Sequence, residues 1–326
     1  MNEDIKNEIW NAVALADRIA ISGHIKADGD SVGSTMAMYI YIMKKFPQKE
    51  VYVYMDNLPD VFGYLCDKYD VITDHRDVKP DLFIALDCSD SSRLGQCEEY
   101  FYNSKLTINI DHHISNLSYA KINYYVPDAS STGEVLYGLM DEEYIEGDVA
   151  TALYTAIIHD TGVFQYSNTT RKTMEIGGAL LEKGVPSDVI IDKSFYEKTY
   201  TQNKLLARCI LESKMYIDDK CLVAIATNEM FDDLGAGPAD LEGIVNQLRI
   251  TKGVLVAVLI HEVDQGEFKI SMRANGSAAD VSKVALSYGG GGHVKAAGCT
   301  LYGEIDEVVV RLVNSIKEEL ACGGQI

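Results

Sequence analysis

The chain is short of anything that would staple it or anchor it. Its seven cysteines, Cys66, Cys88, Cys97, Cys209, Cys221, Cys299 and Cys322, contain no Cys-x-x-Cys pair. Such an odd and scattered set argues against a complete disulfide framework. They read as packing residues, with Cys88 near any site built on Asp87. Long apolar runs are missing too: no stretch reaches the roughly 18–20 uninterrupted apolar residues of a membrane span. The opening Met1-Asn2-Glu3-Asp4-Ile5-Lys6 lacks a basic-then-apolar signal. A cytoplasmic protein with no membrane partner is the expectation. Basic charge is the third scarcity, with 29 Lys and Arg against 49 Asp and Glu, a formal net charge of -20. Proteins that bind long nucleic acids gain affinity by neutralising many phosphates, and this chain carries the wrong sign. Long duplex partners and processive digestion of long DNA are therefore disfavoured. Small phosphorylated substrates, which need only a local basic pocket, are favoured.

What is present is an ordinary globular composition, 47% hydrophobic and 24% charged, in a chain long enough for two domains with separate cores. Residues 3–17 read as an amphipathic helix that uses the sole tryptophan, Trp10, on its apolar stripe. A strand at 18–23, a helix at 31–46 and strand-like runs at 51–55, 82–86 and 106–110 follow. That alternation predicts an α/β domain with a mostly parallel sheet flanked by helices. Segments 131–140, 149–158, 171–183 and 186–195 read as helices. From about residue 205 the pattern restarts as a smaller mixed α/β domain: strands near 215–217, 222–226, 254–261, 268–273 and 296–302, and helices at 205–214, 239–247, 280–288 and 305–320. The expected organisation is a first domain at 1–185, a helical connector at 186–204 and a second domain at 205–326. There is no internal repeat and no low-complexity tract.

The chemistry concentrates at the ends of these elements. Asp111-His112-His113 closes the apolar run Leu106-Thr107-Ile108-Asn109-Ile110. A carboxylate and two imidazoles buried at a strand end are costly unless hydrogen bonds or a cation satisfy them. His24-x-x-x-Asp28-x-Asp30 follows the first strand, Asp87 follows the 82–86 run, and the 149–158 helix delivers Asp160 from its C-terminal side. Loops at the carboxyl ends of parallel strands converge on one crevice. Taken singly, Asp87 and Asp160 read as caps or loop residues, and Asp30 as the N-cap of the helix that starts near Ser31. Together they form a ligand set for two ions. Mixed nitrogen and oxygen donors suit Mn²⁺, Zn²⁺, Co²⁺ or Fe²⁺, with Mn²⁺ preferred, and paired ions serve in-line phosphoryl displacement.

These residues in this order resemble the DHH phosphoesterase superfamily. The segment Tyr288-Gly289-Gly290-Gly291-Gly292-His293-Val294-Lys295-Ala296-Ala297-Gly298 is similar to the glycine-rich signature of its associated domain, DHHA1, so the resemblance spans nearly the whole chain. Asp160-Thr161-Gly162-Val163-Phe164-Gln165-Tyr166-Ser167-Asn168-Thr169-Thr170 places it closest to the oligoribonuclease (nano-RNase) and 3′-phosphoadenosine 5′-phosphate phosphatase group. The resemblance implies two Mn²⁺ per chain, with Mg²⁺ or Co²⁺ as substitutes, and an active site in the cleft between the domains. His24, Asp28 and Asp87 would hold one ion and Asp30, Asp87, His112 and Asp160 the other, Asp87 bridging. Asp111 would orient its neighbours and His113 would meet the phosphate or the leaving oxygen. Arg273 and His293, with Gly290, Gly291 and Gly292, would grip the rest of the substrate. Gln165, where many relatives carry a basic residue, and His159, where a smaller one is common, depart from the pattern.

The implied activity is hydrolysis of short oligoribonucleotides to mononucleotides and removal of the 3′-phosphate of 3′-phosphoadenosine 5′-phosphate. Two alternatives stand beside it: a phosphodiesterase for linear or cyclic dinucleotides, and a non-catalytic nucleotide-binding module, which the intact ligand set disfavours. A family II inorganic pyrophosphatase, whose second domain lacks a glycine run followed by His, ranks below them. Assembly as a homodimer is left open. Alone, the 289–292 glycines read as a tight-turn loop; read with the upstream motifs, they become an anion nest with His293 as a donor. His75 reads as a solvated loop residue and His261 as a strand-end group with only local hydrogen bonds. Tyr52, Tyr54, Tyr124 and Tyr125 lie in β-prone runs and are not nominated as base stackers.

Overall fold

The structure, a computed structural model, describes residues 3–56, 58–73, 79–276 and 278–323; His75 lies outside them. The chain divides into two compact units, Met1–Glu197 and Lys198–Ile326. The short helix Ser187–Ile191 and the turn Asp192–Tyr196 fall in the first, and the helix Tyr200–Leu211 in the second.

The first unit is built on six parallel strands, β1 (Arg18–Ser22), β2 (Glu50–Tyr54), β3 (Val71–Ile72), β4 (Leu82–Leu86), β5 (Leu106–Asp111) and β6 (Ile122–Tyr125). Their spatial order is β3-β2-β1-β4-β5-β6. Every residue of β4 is buried, as a central strand covered on both faces requires. One face sets Ile19, Ile21, Ile84 and Ile110 against the helices, and the other sets Ala20, Phe83 and Ala85 against Phe101. The order reverses between β1 and β4, and at such a switch point the loops leaving the carboxyl ends diverge and open a crevice. His24–Asp30 leaves β1 there, and Asp87 leaves β4.

Two helices, Gly29–Lys45 and Asp148–Asp160, pack closely over this sheet. A Cβ on Gly33 would lie 2.6 Å from the Ala152 carbonyl oxygen, so glycine is what lets the two backbones approach. The first helix, Glu3–Leu15, is tied down by Trp10, whose indole N–H donates to the Leu139 carbonyl at 2.8 Å.

The second unit is a mixed sheet of β7 (Lys214–Tyr216), β8 (Cys221–Ala226), β9 (Val256–Asp264), β10 (Glu267–Ala274), β11 (Gly291–His293) and β12 (Ala296–Tyr302), ordered β11-β12-β10-β9-β8-β7. Among the described residues only the β8–β9 pair of this sheet is parallel. Val258, Ile260, Ile270 and Met272 face the helices Val281–Ser287 and Ile305–Gly323, while Ala257 and Leu259 join a second core with Leu205, Phe231 and Leu248. The expected helix at 239–247 is instead a 3₁₀ turn, Pro238–Leu241, and a helix, Ile244–Arg249, separated at Gly243, whose φ is +85°. Among the described residues no helix is long and apolar enough to cross a membrane.

Candidate metal centre and substrate face

Asp28 ends the loop from β1 and caps the helix Gly29–Lys45, its Oδ1 accepting from the Ser31 N–H at 3.1 Å. Asp30, a nominated ligand that taken singly read as the cap, lies inside the helix's first turn. It is fully buried and accepts from the backbone N–H groups of Thr132 at 2.6 Å and Gly133 at 3.0 Å, the opening residues of the helix Thr132–Leu139. The Thr132 hydroxyl donates to Asp87 Oδ1 at 3.1 Å. Asp87 itself has a φ of +54°, a left-handed conformation sparsely populated outside glycine and concentrated at functional sites.

Both candidate imidazole ligands are oriented the same way. His24 donates from Nδ1 to the Ile25 carbonyl at 2.8 Å and His112 from Nδ1 to Ala129 at 3.3 Å, which turns each Nε2 toward the carboxylates, the usual means of fixing a metal-binding imidazole. His24 Nε2 lies 3.7 Å from Asp28 and 3.5 Å from Asp87. His112 Nε2 lies 3.0 Å from Asp160, 3.7 Å from Asp30 and 3.7 Å from Asp87. The residues gather into His24-Asp28-Asp87 and Asp30-His112-Asp160, and a third combination joins Asp87 to His112 and His113. Asp87 thus faces both imidazoles.

The electrostatics fit divalent cations. Burial first, then the neighbouring carboxylates Asp87 and Asp160, raises the Asp30 pKa well above the ordinary range. Burial, only partly offset by His24, raises Asp87. Burial would lower His24, but hydrogen bonds to Asp28 and Asp87 outweigh it and lift the imidazole to about 10. The same contest, won by Asp160, lifts His112 to about 9. Carboxylates crowded this closely need compensating positive charge, which protonated imidazoles supply in part and two divalent ions supply in full. Mixed oxygen and imidazole donors are the ligands such ions take.

Asp111 is wholly buried and turned toward the residues that follow it. Its Oδ1 accepts from His113 Nδ1 at 2.7 Å and from the His112 backbone N–H at 2.8 Å, and its Oδ2 from Asn116 at 2.6 Å. The bond to Asp111 raises the His113 pKa and occupies Nδ1, leaving Nε2 for other contacts. After Asp160 the chain makes three consecutive left-handed steps, Gly162, Val163 and Phe164, and Asn168 holds the turn by donating to the carbonyls of Ser130 and Asp160, both at 3.0 Å. Sequence reading did not single out Thr132, Gly133, Asn116 or Asn168. The advance signs were the Ser/Thr run that starts a helix at 131 and the place of Asn168 in the segment after Asp160. His159 packs its ring against Gly29 and lies 4.5 Å, centroid to centroid, from Phe195.

In the second unit, Arg273 on β10 stands opposite Ala296 on β12, which stands opposite His293 on β11. Directly paired residues share a sheet face, so Arg273 and His293 project from one side across a small alanine. The glycine run departs from both sequence readings. Gly289 and Gly290 donate their N–H groups to Leu286 and Ala285 at the end of the preceding helix, so those two groups are not free for an anion nest. Gly291 and Gly292 belong to β11, not to a loop, and a side chain at Gly290 would collide with the Gly298 carbonyl. His261, expected to make local hydrogen bonds, sits within β9 with its ring centroid 5.4 Å from that of Phe231.

Comparison with known proteins agrees with this architecture. Residues 18–157 match the model of the DHH family N-terminal domain, and residues 218–321 that of the DHHA1 domain. The chain is 30% identical to the bifunctional oligoribonuclease and PAP phosphatase NrnA of Thermus thermophilus, across 96% of this chain and 93% of that one. It is 25% identical to the Bacillus subtilis protein of the same name, across 96% and 99%. Its fold is similar to the crystal structure of an exopolyphosphatase-related protein from Bacteroides fragilis, with a TM-score of 0.89 at 25% identity, covering 99% and 98% of the two chains. With both domain models matched in order and Asp111-His112-His113 at the carboxyl end of β5, the chain belongs to the DHH family of metal-dependent phosphoesterases.

Proposed function

We propose that the protein hydrolyses short oligoribonucleotides to mononucleotides and removes the 3′-phosphate of 3′-phosphoadenosine 5′-phosphate. The observation that carries the reading is the convergence of His24, Asp28, Asp30, Asp87, His112 and Asp160 at the switch point of the first sheet. It is supported by nearly full-length similarity to relatives named for both activities. His24, Asp28 and Asp87 would hold one ion, and Asp30, Asp87, His112 and Asp160 the other, with Mn²⁺ the best match to the donor set and Mg²⁺ or Co²⁺ as substitutes. Ions so held supply an acidified water and neutralise charge on the phosphoryl oxygens.

The chain's own residues do the rest. The 2.7 Å bond to Asp111 raises the His113 pKa and orients its ring, and His113 would donate a proton to the leaving oxygen, a role that needs a proton within reach of the reacting atoms. Thr132 and Gly133 fix Asp30 by backbone donation. In this division of labour residues 1–185 carry the chemistry, 186–204 connect, and 205–326 hold the remainder of the substrate through Arg273, His293, Gly291 and Gly292.

The test is a panel with Mn²⁺: RNAs of two to about 24 nucleotides, 3′-phosphoadenosine 5′-phosphate, linear and cyclic dinucleotides, and pyrophosphate. The highest kcat/KM should fall on the shortest RNAs and on 3′-phosphoadenosine 5′-phosphate. A preference for pyrophosphate or for a cyclic dinucleotide would replace this reading.

A further inference from the structure

The face of the second unit that carries Arg273 continues along β10. Arg273, Ser271 and Lys269 alternate on one side of the strand and stand directly opposite Ala257, Leu259 and His261 of β9. The three β10 residues and His261 line one cavity of about 580 Å³, whose other wall is formed by Leu241, Val245 and Asn246. Three of its side chains are basic and one, Glu242 at the exposed edge, is acidic. For a chain of net charge -20 this is a local reversal of sign.

The reversal is not neutralised internally. Among the described residues the ion pairs of this unit join Arg208 to Glu212 and Asp233, and Lys283 to Glu319; none joins Lys269, His261 or Arg273 to a carboxylate, although Glu262 lies near enough to His261 to raise its pKa slightly against the larger lowering effects. Basic groups placed directly opposite on neighbouring strands, as His261 and Lys269 are, cost stability when both are charged. Burial and then the neighbouring Lys269 lower the His261 pKa, and burial and then Arg249 lower that of Arg273. An anion relieves this crowding, and the apolar wall beside it offers a surface for a base or ribose.

We infer that Lys269 and His261 form a second phosphate subsite, taking a different phosphate of the same oligonucleotide that Arg273 holds. The inference rests on the short-oligonucleotide reading above and names the length it prefers. Four residues of β-strand place Lys269 about 13 Å from Arg273, a separation suited to two different phosphates of one chain. The phosphates of a dinucleotide lie closer together than that, whereas tri- and tetranucleotides can engage Arg273 and Lys269 at once.

The experiment is steady-state kinetics with Mn²⁺ on di-, tri- and tetra-adenylate at low and high salt, for the wild type, Lys269→Ala and Lys269→Arg. Lys269 is exposed, so neither substitution disturbs the core. Lys269→Ala should raise KM for tetra-adenylate about tenfold more than for di-adenylate and flatten its salt dependence by roughly one phosphate contact. Lys269→Arg should restore most of the difference. A Lys269→Ala protein whose KM changes by the same factor on every length overturns the inference and leaves the oligonucleotide reading standing. A wild-type protein that hydrolyses none of the three overturns the oligonucleotide reading, and the inference with it.

Discussion

At the scale of single residues, the arrangement turns on how a few polar groups are held. His113 reaches out from a buried anchor, Asp111, and is placed to act where charge develops, so His113→Ala should lower kcat on di-adenylate by roughly 10²-fold while moving KM far less. Metal content measured on the same samples excludes loss of ions as the cause. Thr132 donates from its hydroxyl to Asp87 and from its N–H to Asp30. Because partners behind the ligands commonly carry about 10-fold or more in metal affinity, Thr132→Val should weaken Mn²⁺ binding by about that factor in calorimetry; unchanged affinity would show the hydroxyl to be incidental. The gathered residues were legible in the sequence because each is an Asp or His at the exit of an apolar run. Thr132 and Gly133 were not, since their contribution comes from backbone N–H groups and from partners up to 103 positions away, and Asn116 was not, since its amide reaches Asp111 from a loop that carries no apolar pattern.

Elements set the next level. The helices Gly29–Lys45 and Asp148–Asp160 carry Asp30 and Asp160 on the same packed pair, so loosening that pair should disturb the site as well as the core. Gly33→Ala places a methyl against the Ala152 backbone and should cost about 1–3 kcal/mol as overpacking does, read as a lower denaturation midpoint. In the second unit, Arg273→Ala and His293→Ala should mainly raise KM, and Lys in place of Arg273 should rescue only partly because the charge stays and the planar fork is lost. If neither alanine variant changes KM or kcat, this face does not hold substrate. The central strands were readable from short, nearly continuous apolar runs. β3, Val71–Ile72, is β-prone but only two residues long, and β11 is built from two glycines and a histidine, which carry no strand preference of their own; pairing with β2 and β12 makes both strands.

For the whole molecule, acidity and metal dependence are coupled. The metal-free site holds protons on His24 and His112, with pKa values of about 10 and about 9, and a metal must displace them. Both values are raised, so the protons are present at neutral pH and are lost as pH rises through 9 to 10. Mn²⁺ affinity should therefore climb with pH from neutrality and level off as pH passes 9 to 10, and binding near pH 7.5 should release roughly two protons or more per loaded chain, measurable by calorimetry in buffers of different ionisation heat. An affinity independent of pH would contradict the ligand assignment.

The most direct test of the central claim, that Asp87 is shared by two ions, is elemental analysis of metal in the wild type and Asp87→Asn, with turnover of di-adenylate followed on the same samples. Asparagine keeps the shape and tolerates the left-handed backbone while removing the charge. The account predicts about two Mn²⁺ per wild-type chain, fewer than one in Asp87→Asn, and loss of nearly all turnover. Normal metal content and near-normal turnover in Asp87→Asn would contradict it.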